Sequence, residues 1–280
     1  MDSIFATAAL ALSVTLSTCA AIEIPDQYNF PATGDTIKLS ATCGDRTALW
    51  CDEKPEYLIV YFHGLASTEF EPFMLPSAHN SLCSMLRAEK QNVAILSINL
   101  DVAQSVKGGY SQTKVDPVIR KALQITKAEK LILCGGSLGA YRALSYLAEV
   151  PKDIASKLTG VLAIEPMDDL IELKKQSSAK EVVTAMEKLF AGASEAYFQK
   201  RTIQQLLKNS TVKPKIYLVS ALADTVAPTY MQGRLSKFFK NSGYPLKVLE
   251  IGGNHRLPNA FLLTDGLAFL MNTKVSKSNN

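Results

Sequence analysis

The junction at residues 135–139 constrains the fold more than any other part of this sequence. It reads Gly-Gly-Ser-Leu-Gly and follows an apolar, strand-like run at residues 131–134. After it, the apolar positions of residues 141–148 recur at helical spacing. Glycines on both sides of a residue let the backbone turn tightly without Cβ clashes. The segment therefore predicts a strand, a sharp turn and a helix, with Ser137 at the turn.

The serine at this turn is a candidate nucleophile. A serine hydroxyl is a weak nucleophile, so it has to be lifted on a tight turn to where a base can reach it. A G-x-S-x-G match alone can arise by chance, but a strand before it and a helix after it form the setting that the motif requires. Ser137 is therefore interpreted as the tip of a nucleophile elbow.

Strand-like and helix-like segments alternate along most of the chain. This alternation predicts an α/β fold with a mostly parallel central sheet and helices on both faces. Besides the segment before Ser137, the predicted strands are 57–62, 93–99, 160–164, 216–222 and 246–251. Besides the helix after Ser137, the predicted helices are 77–89, 116–127, 229–241 and 258–271.

Two regions depart from this alternation. Residues 37–43 and the neighbours of Trp50 are expected to form an initial antiparallel hairpin. Residues 166–213 are rich in Glu, Lys, Gln, Ala and Leu and contain no convincing strand. Several short helices are expected there.

Composition is that of an ordinary globular protein. With 280 residues, 47% of them hydrophobic and 20% charged, the chain is long enough to bury a full core in one domain with an insertion. The net charge of +4 is spread along the sequence apart from a basic tail at residues 274–277. We therefore expect no nucleic-acid partner, and a solvated tail is the simpler interpretation.

The N-terminus predicts export. Residues 3–22 carry no charged side chain and include an apolar stretch that ends in small residues at 17–21. This pattern indicates a cleaved leader over residues 1–21 and a secreted or periplasmic mature chain over 22–280. The start lacks Lys and Arg, and residues 16–19 faintly resemble a lipobox. A retained membrane or lipid anchor is thus the first alternative, and a disordered or packed N-terminus the second.

Four cysteines follow the leader. Cys43 and Cys51 flank a turn-like stretch, where a local disulfide would fit an oxidising compartment. Cys134 ends an apolar strand and is expected to be an inert buried thiol. Pairing of Cys83 with Cys134 is the alternative.

Only three histidines are available as a base for Ser137. His255 lies in a Gly-rich loop between the last predicted strand and the last helix, where an imidazole can reach over the sheet edge. His255 is the candidate base. The alternative is that His255 is an ordinary histidine on a surface loop. His79 falls among polar residues of a predicted helix and is expected to be solvated. The histidines are far apart and lack the spacing of a helical zinc site, so we expect no metal.

A carboxylate must hold that histidine in the right tautomer. Asp224 follows the penultimate predicted strand at its carboxyl end, where open α/β sheets place functional loops. Asp224 is the candidate acid. The alternative is a structural aspartate in a turn or at the N-terminus of the helix that Pro228 soon starts. The fallback acids, which could equally cap the helices that begin there, are Glu165, Asp168 and Asp169.

The chain order Ser, Asp, His resembles the α/β-hydrolase superfamily over nearly the whole sequence after the leader. The places that carry the resemblance are His63-Gly64 after a central strand, the elbow at Ser137, Asp224 and His255. The resemblance implies the α/β-hydrolase fold with a helical cap inserted at about residues 166–213.

The same resemblance implies further roles near the site. The backbone N–H groups of Leu65 and Leu138 would form an oxyanion hole, and His63 would tie down its loop rather than act as a second base. A single glycine follows His63, which disfavours the esterase and lipase branch that carries His-Gly-Gly-Gly. Apolar cap residues could line an acyl pocket or simply pack on the domain: Met167, Leu170, Leu173, Met186, Leu189, Phe190, Tyr197 and Phe198.

The function implied is serine hydrolysis of a small-molecule acyl substrate, without a cofactor. Ser137 would attack the carbonyl, His255 would act as base and then as acid, and Asp224 would orient His255. A carboxylic ester is the first expectation, ahead of a thioester, an amide or acyl transfer. A noncatalytic hydrolase-fold binding protein is the alternative from another class, although the chain keeps all three candidate residues.

Overall fold

The computed structural model describes residues 27–29, 36–38, 47–51, 53–65, 67–99, 110–176, 180–190 and 194–273. The expected leader and Cys43 lie outside the described residues, so the leader and the Cys43–Cys51 disulfide stay predictions.

Within the described residues, seven strands form one sheet. They are β3 (Thr47–Cys51), β4 (Tyr57–Phe62), β5 (Val93–Ile98), β6 (Lys130–Gly136), β7 (Leu158–Ile164), β8 (Lys215–Ala221) and β9 (Leu246–Ile251). Their order across the sheet is β3-β5-β4-β6-β7-β8-β9. β3 runs antiparallel to β5, and every other neighbouring pair is parallel.

The central strands are buried on both faces. β4 and β5 are buried along their whole length. Successive side chains of a strand point to opposite faces, so Leu58 and Val60 join one apolar cluster while Ile59 and Tyr61 join the other. Burial on both faces explains why these strands are continuous apolar runs rather than alternating ones.

Helices cover both faces of the sheet. They are α1 (Glu71–Met74), α2 (Leu82–Ala88), α3 (Asp116–Thr126), α4 (Leu138–Glu149), α5 (Lys152–Ala155), α6 (Leu170–Gln176), α7 (Lys180–Phe190), α8 (Glu195–Gln199), α9 (Ile203–Leu207), α10 (Thr229–Asn241) and α11 (Thr264–Met271). α3, α4 and α10 pack on one face with α6 to α9, and α2 and α11 pack on the other. None of the described helices combines the length and the apolar character needed to cross a membrane.

Two predicted helices are interrupted. The helix expected over 77–89 is a short 3-10 turn followed by α2, because the extended Ser81 caps α2 and its side chain accepts a hydrogen bond from the Ser84 N–H. The helix expected over 258–271 begins as a 3-10 turn at Ala260–Leu263 and becomes α-helical in α11. His79 lies in the first of these turns and is exposed.

The described residues of the predicted N-terminal hairpin pair elsewhere, and residues 39–46 lie outside the described part of the chain. The strand that contains Trp50 is β3, and it pairs with β5 in the main sheet. Ile37 belongs to β2 (Thr36–Lys38), which pairs with β1 (Gln27–Asn29). β3 joins the sheet because its side chains gain burial on both faces, with Ala48 in one apolar cluster and Leu49 in the other.

Cys134 is a free thiol buried on β6, so it does not pair with Cys83. Burial raises the pKa of the Cys134 thiol well above its usual range. A neutral, inaccessible thiol is poorly reactive, which fits the inert role expected from the sequence.

Candidate active site

Ser137 occupies a strained turn between β6 and α4. Its φ of 56° and ψ of −121° are rare for a residue with a side chain. The Ser137 N–H donates to the Ile164 carbonyl of the neighbouring strand at 2.8 Å, which holds the turn at the sheet edge. Backbone strain of this kind persists only where the surroundings enforce it and is frequent at functional sites.

Close backbone contacts explain the flanking glycines. A Cβ at Gly139 would lie 1.9 Å from the carbonyl oxygen of Phe62, and a Cβ at Gly135 would lie 2.4 Å from the carbonyl carbon of Gly139. The first turn of α4 therefore packs directly against the end of β4. At Gly136 a Cβ would meet the side chain of Leu257 at 2.6 Å.

Three predicted side chains form a hydrogen-bonded row. Ser137 Oγ lies 2.8 Å from His255 Nε2, and His255 Nδ1 lies 2.7 Å from Asp224 Oδ2. A neutral imidazole with its proton on Nδ1 donates to Asp224 and accepts the Ser137 hydroxyl proton at Nε2. This arrangement can deprotonate the serine as it attacks an electrophile.

Asp224 is fixed by its own hydrogen bonds. Its Oδ1 accepts the backbone N–H groups of Val226 at 2.9 Å and Ala227 at 2.8 Å. Its Oδ2 accepts Gln232 Nε2 at 2.8 Å as well as the imidazole. These donors hold the carboxylate, which has no exposed side-chain surface, in a single orientation toward His255.

Asn254 ties the two loops of the site together. Its side-chain oxygen accepts the N–H groups of Thr225 at 2.9 Å and His255 at 2.7 Å. One amide thus sets the positions of the residues next to Asp224 and of His255 itself. Sequence reasoning missed Asn254 and Gln232, and only their nearness to His255 and Asp224 in the chain could have pointed to them.

Glu165 is a second carboxylate at the imidazole. Its Oε2 lies 3.2 Å from His255 Nδ1 and accepts the Arg256 N–H at 2.8 Å. Burial, helped by the charge of Asp224 and opposed by His255 and Arg256, raises the pKa of Glu165 to about 7. Of the three fallback acids, this is the one that the structure brings to His255.

The other two fallback acids have structural partners. Asp168 Oδ2 accepts Gln204 Nε2 and Arg234 Nε, each at 2.8 Å. Asp169 Oδ1 accepts the N–H groups at the start of α6, as a helix cap does.

The loop after β4 rests on a buried carboxyl group. Glu71 Oε2 accepts the Gly64 N–H at 2.9 Å, and Glu71 Oε1 accepts the Tyr61 hydroxyl at 2.7 Å. Burial raises the pKa of Glu71. His63 is buried and its Nδ1 lies 2.7 Å from the Gly64 carbonyl, in agreement with a role in tying down the loop.

The expected oxyanion donors are backbone groups. Leu138 is the first residue of α4, so its N–H has no acceptor within the helix. The Gly64 N–H is engaged by Glu71, which leaves the N–H of the next residue, Leu65, as the candidate from this loop. Their role in binding an oxyanion stays a proposal.

Glu165, Asp224 and His255 also offer donor atoms within 4.8 Å of one another, a spacing that could hold a metal ion. The Nδ1–H of a neutral His255 accounts for this convergence without a cation, because it donates to Asp224 at 2.7 Å while Glu165 Oε2 lies 3.2 Å from the same nitrogen. In addition, both oxygens of Asp224 already accept N–H donors.

Most of the apolar residues expected to belong to a cap pack in the core. Those that are nearly inaccessible are Met167, Leu170, Leu173, Met186, Leu189 and Phe198. Phe190 and Tyr197 are partly buried, and each ring makes an edge contact with Phe198. Phe190 also lines a cavity of about 330 Å³ between α6, α7 and α8 together with Ile171 and Lys174.

Known proteins share the fold of this chain. No protein-family model matches the sequence, and no curated protein matches it either. Acylaminoacyl peptidase from Pyrococcus horikoshii superimposes with a TM-score of 0.62 at 14% identity over 84% of this chain, which spans only 40% of the peptidase.

Two solved structures of similar length also match. An esterase from Pyrococcus furiosus has a TM-score of 0.55 at 13% identity and covers 81% of this chain and 83% of its own. S-formylglutathione hydrolase from Staphylococcus aureus has a TM-score of 0.55 at 13% identity. The match covers 88% of this chain and 95% of the hydrolase. The sheet, its helical layers and these likenesses establish that the chain has the α/β-hydrolase fold.

Proposed function

We propose that the protein is a serine hydrolase that cleaves carboxylic esters through an acyl-enzyme intermediate. The observation that carries the proposal is the row of hydrogen bonds from Ser137 through His255 to Asp224. The row supports the proposal because it supplies a nucleophile, a base and an orienting acid in mutual contact.

In acylation, Ser137 Oγ attacks the carbonyl carbon while its proton moves to His255 Nε2. Asp224 stabilises the imidazolium through Nδ1–H without taking the proton. The negative charge on the carbonyl oxygen would be bound by the N–H groups of Leu65 and Leu138, each contributing about 3 kcal/mol to the stability of the transition state. The positive end of the α4 dipole adds to this stabilisation.

The intermediate then collapses. His255 gives its proton to the leaving alkoxide, and the ester C–O bond breaks. Water, deprotonated by His255, attacks the acyl-enzyme, and Ser137 recovers its proton when the acid leaves. The steps need no cofactor.

The main test compares hydrolysis of p-nitrophenyl esters of short and medium chain length by the wild type and by Ser137→Ala. We expect turnover to fall on the order of 10⁶-fold, because the variant has no nucleophile. Unchanged turnover in the variant would reject the proposal.

The nature of the scissile bond is a second question. Thioester hydrolysis, amide hydrolysis and acyl transfer use the same three groups, and proteins of similar fold include both a peptidase and an esterase. A p-nitrophenyl ester and a p-nitroanilide with one common acyl group separate these activities. Preferential turnover of the ester supports ester hydrolysis, whereas preferential turnover of the anilide would replace it by amide hydrolysis.

A protein that only binds ligands is the alternative from another class. It would not need Ser137 to react, so a fluorophosphonate probe distinguishes the two. The strained turn at Ser137 favours the enzyme, since a binding surface gains nothing from it.

We also propose that the mature protein is exported after loss of residues 1–21. N-terminal sequencing of protein from its native host tests this. A mature chain that begins near residue 22 supports export with cleavage, whereas an intact Met1 would rule out a cleaved leader.

A further inference from the structure

Glu165 holds the same place on its strand as Ser137 does on the neighbouring one. Each is the residue directly after a central parallel strand, and each has a positive φ, 48° for Glu165 and 56° for Ser137. The Glu165 N–H donates to the Val219 carbonyl of β8 at 2.8 Å, just as the Ser137 N–H donates to Ile164 of β7. The sheet therefore holds Glu165 at the edge where the site lies.

The side chain of Glu165 is held against His255. Only 2% of it is exposed, and its Oε2 lies 3.2 Å from His255 Nδ1. The Arg256 N–H donates to the same oxygen at 2.8 Å, which ties the histidine loop to this carboxyl group. Because two adjacent residues of one loop contact Oε2, small movements of the loop alter both contacts together.

The second oxygen of Glu165 is buried without a hydrogen-bond partner among the described residues. A buried carboxyl oxygen that lacks a partner costs stability. An apolar side chain that only filled this space would avoid the cost. The cost is understandable if the charge on Oε2 acts on His255.

We propose that Glu165 is a second positioning carboxylate for His255, which shares the charge of the imidazolium with Asp224 and keeps Nδ1–H oriented when the Asp224 hydrogen bond is lost. The proposal rests on the hydrolase function inferred above. Asp224 is the primary acceptor because its contact with Nδ1 is shorter, 2.7 Å against 3.2 Å.

Glu165 adds a pH-dependent element to the site. The charged and titratable groups that face it are Asp224 from the loop after β8, and His255 and Arg256 from the loop after β9. Burial raises the pKa of Glu165 to about 7, so its charge develops in the range where a histidine base works. Once ionised, Glu165 places a second negative charge beside the imidazole, next to that of Asp224.

An NMR titration tests the proposal independently of any substrate. The chain has three histidines, and His255→Gln identifies the imidazole ¹⁵N signals of His255. We expect Glu165→Gln to lower the midpoint of the His255 titration by roughly half to one pH unit, since a nearby anion raises the pKa of a cation. Glu250→Gln, which changes an exposed glutamate on β9, is the matched control and should leave the midpoint unchanged.

An unchanged His255 midpoint in Glu165→Gln would overturn the proposal. If that variant does not fold, Glu165→Asp keeps the charge and withdraws it by one methylene. It should shift the midpoint in the same direction by a smaller amount, and no shift there would equally overturn the proposal.

Kinetics provide the second test. Loss of the acid alone costs on the order of 10⁴-fold in a known Ser-His-Asp enzyme. With Glu165 still facing Nδ1, we expect Asp224→Asn to lose only about 10²-fold in kcat and the double variant Asp224→Asn/Glu165→Gln about 10²-fold more. Glu165→Gln alone should cost less than about tenfold and move the acid limb of the kcat/KM profile to lower pH.

A double variant no slower than Asp224→Asn, with an unmoved acid limb, would show that Glu165 is merely structural. Failure of the hydrolase proposal gives a different result, because wild type and Ser137→Ala would then be indistinguishable. The NMR titration would still decide whether Glu165 acts on His255.

Discussion

Glu71 shows how one buried side chain can set the geometry of the loop after β4. It accepts both the Gly64 N–H and the Tyr61 hydroxyl, so it fixes the direction of the peptide just before Leu65. If Leu65 supplies an oxyanion donor, the orientation of its N–H depends on this contact. Glu71 thus supports the candidate site from outside the hydrogen-bonded row of Ser137, His255 and Asp224.

Replacement of Glu71 tests whether its hydrogen bonds support the loop. Glu71→Ala leaves the Gly64 N–H and the Tyr61 hydroxyl without a partner, and we expect a loss of about 2 to 4 kcal/mol in the free energy of unfolding and a fall of kcat on the order of 10 to 100-fold with a smaller change in KM.

Glu71→Gln is the matched control. Its amide oxygen can accept the Gly64 N–H while its NH₂ donates to the Tyr61 oxygen, so most activity should remain. Denaturant unfolding and steady-state kinetics measure both effects, and equal losses in the two variants would contradict the support role.

Glu165 should also be visible in the pH dependence of stability. Its pKa is raised in the folded protein, to about 7 from an ordinary 4.5. The protein therefore gains stability from the neutral form below about pH 4.5 and loses that gain as the pH rises through 7. Glu165→Gln stays neutral at every pH and escapes this loss.

Urea unfolding at pH 5 and pH 8 measures the difference. Relative to Glu165→Gln, the wild type should lose up to about 3 kcal/mol between the two values. A constant difference between wild type and variant would mean that the pKa of Glu165 is not raised.

At the scale of elements, the contact between α4 and β4 determines where Ser137 lies. Gly139→Ala would place a methyl group against the backbone of Phe62, which cannot move away without disturbing the central strand. We expect a loss of about 3 kcal/mol or more in the free energy of unfolding, together with reduced turnover.

Gly233→Ala on α10 is the control, because nothing lies within 4 Å of a Cβ there. Alanine favours a helix over glycine by roughly 0.5 to 1 kcal/mol, so this variant should be as stable as the wild type or more so. Thermal unfolding of the two variants decides the question. A Gly139→Ala protein of wild-type stability would show that α4 can shift without cost.

Elements with a clear apolar pattern could be predicted from the sequence. Helix 229–241 has the observed bounds of α10, and the strand 246–251 those of β9. The pairing of β3 could not be predicted, because it depends on burial against two faces of a sheet built by distant residues. The break before α2 depends on a single capping serine, Ser81, inside an otherwise helical pattern.

At the scale of the whole molecule, parallel strands bring distant residues to one edge of the sheet. Ser137 follows β6, Asp224 follows β8, and His255 follows β9, so their side chains can meet although they are far apart in the sequence. Chain order and strand ends were enough to select them. From the sequence, Glu165 is only one candidate acid among several. Its contact with His255 depends on a positive φ that glutamate rarely adopts, so the sequence does not predict it.

Covalent labelling is the measurement that tests the central claim most directly. Folded protein treated with a fluorophosphonate should gain the mass of one adduct, and peptide mapping should locate it on Ser137. The adduct should be absent in Ser137→Ala and should form far more slowly in His255→Gln, since the serine then lacks its base. Folded protein without an adduct, or with an adduct on another residue, would contradict a nucleophilic Ser137.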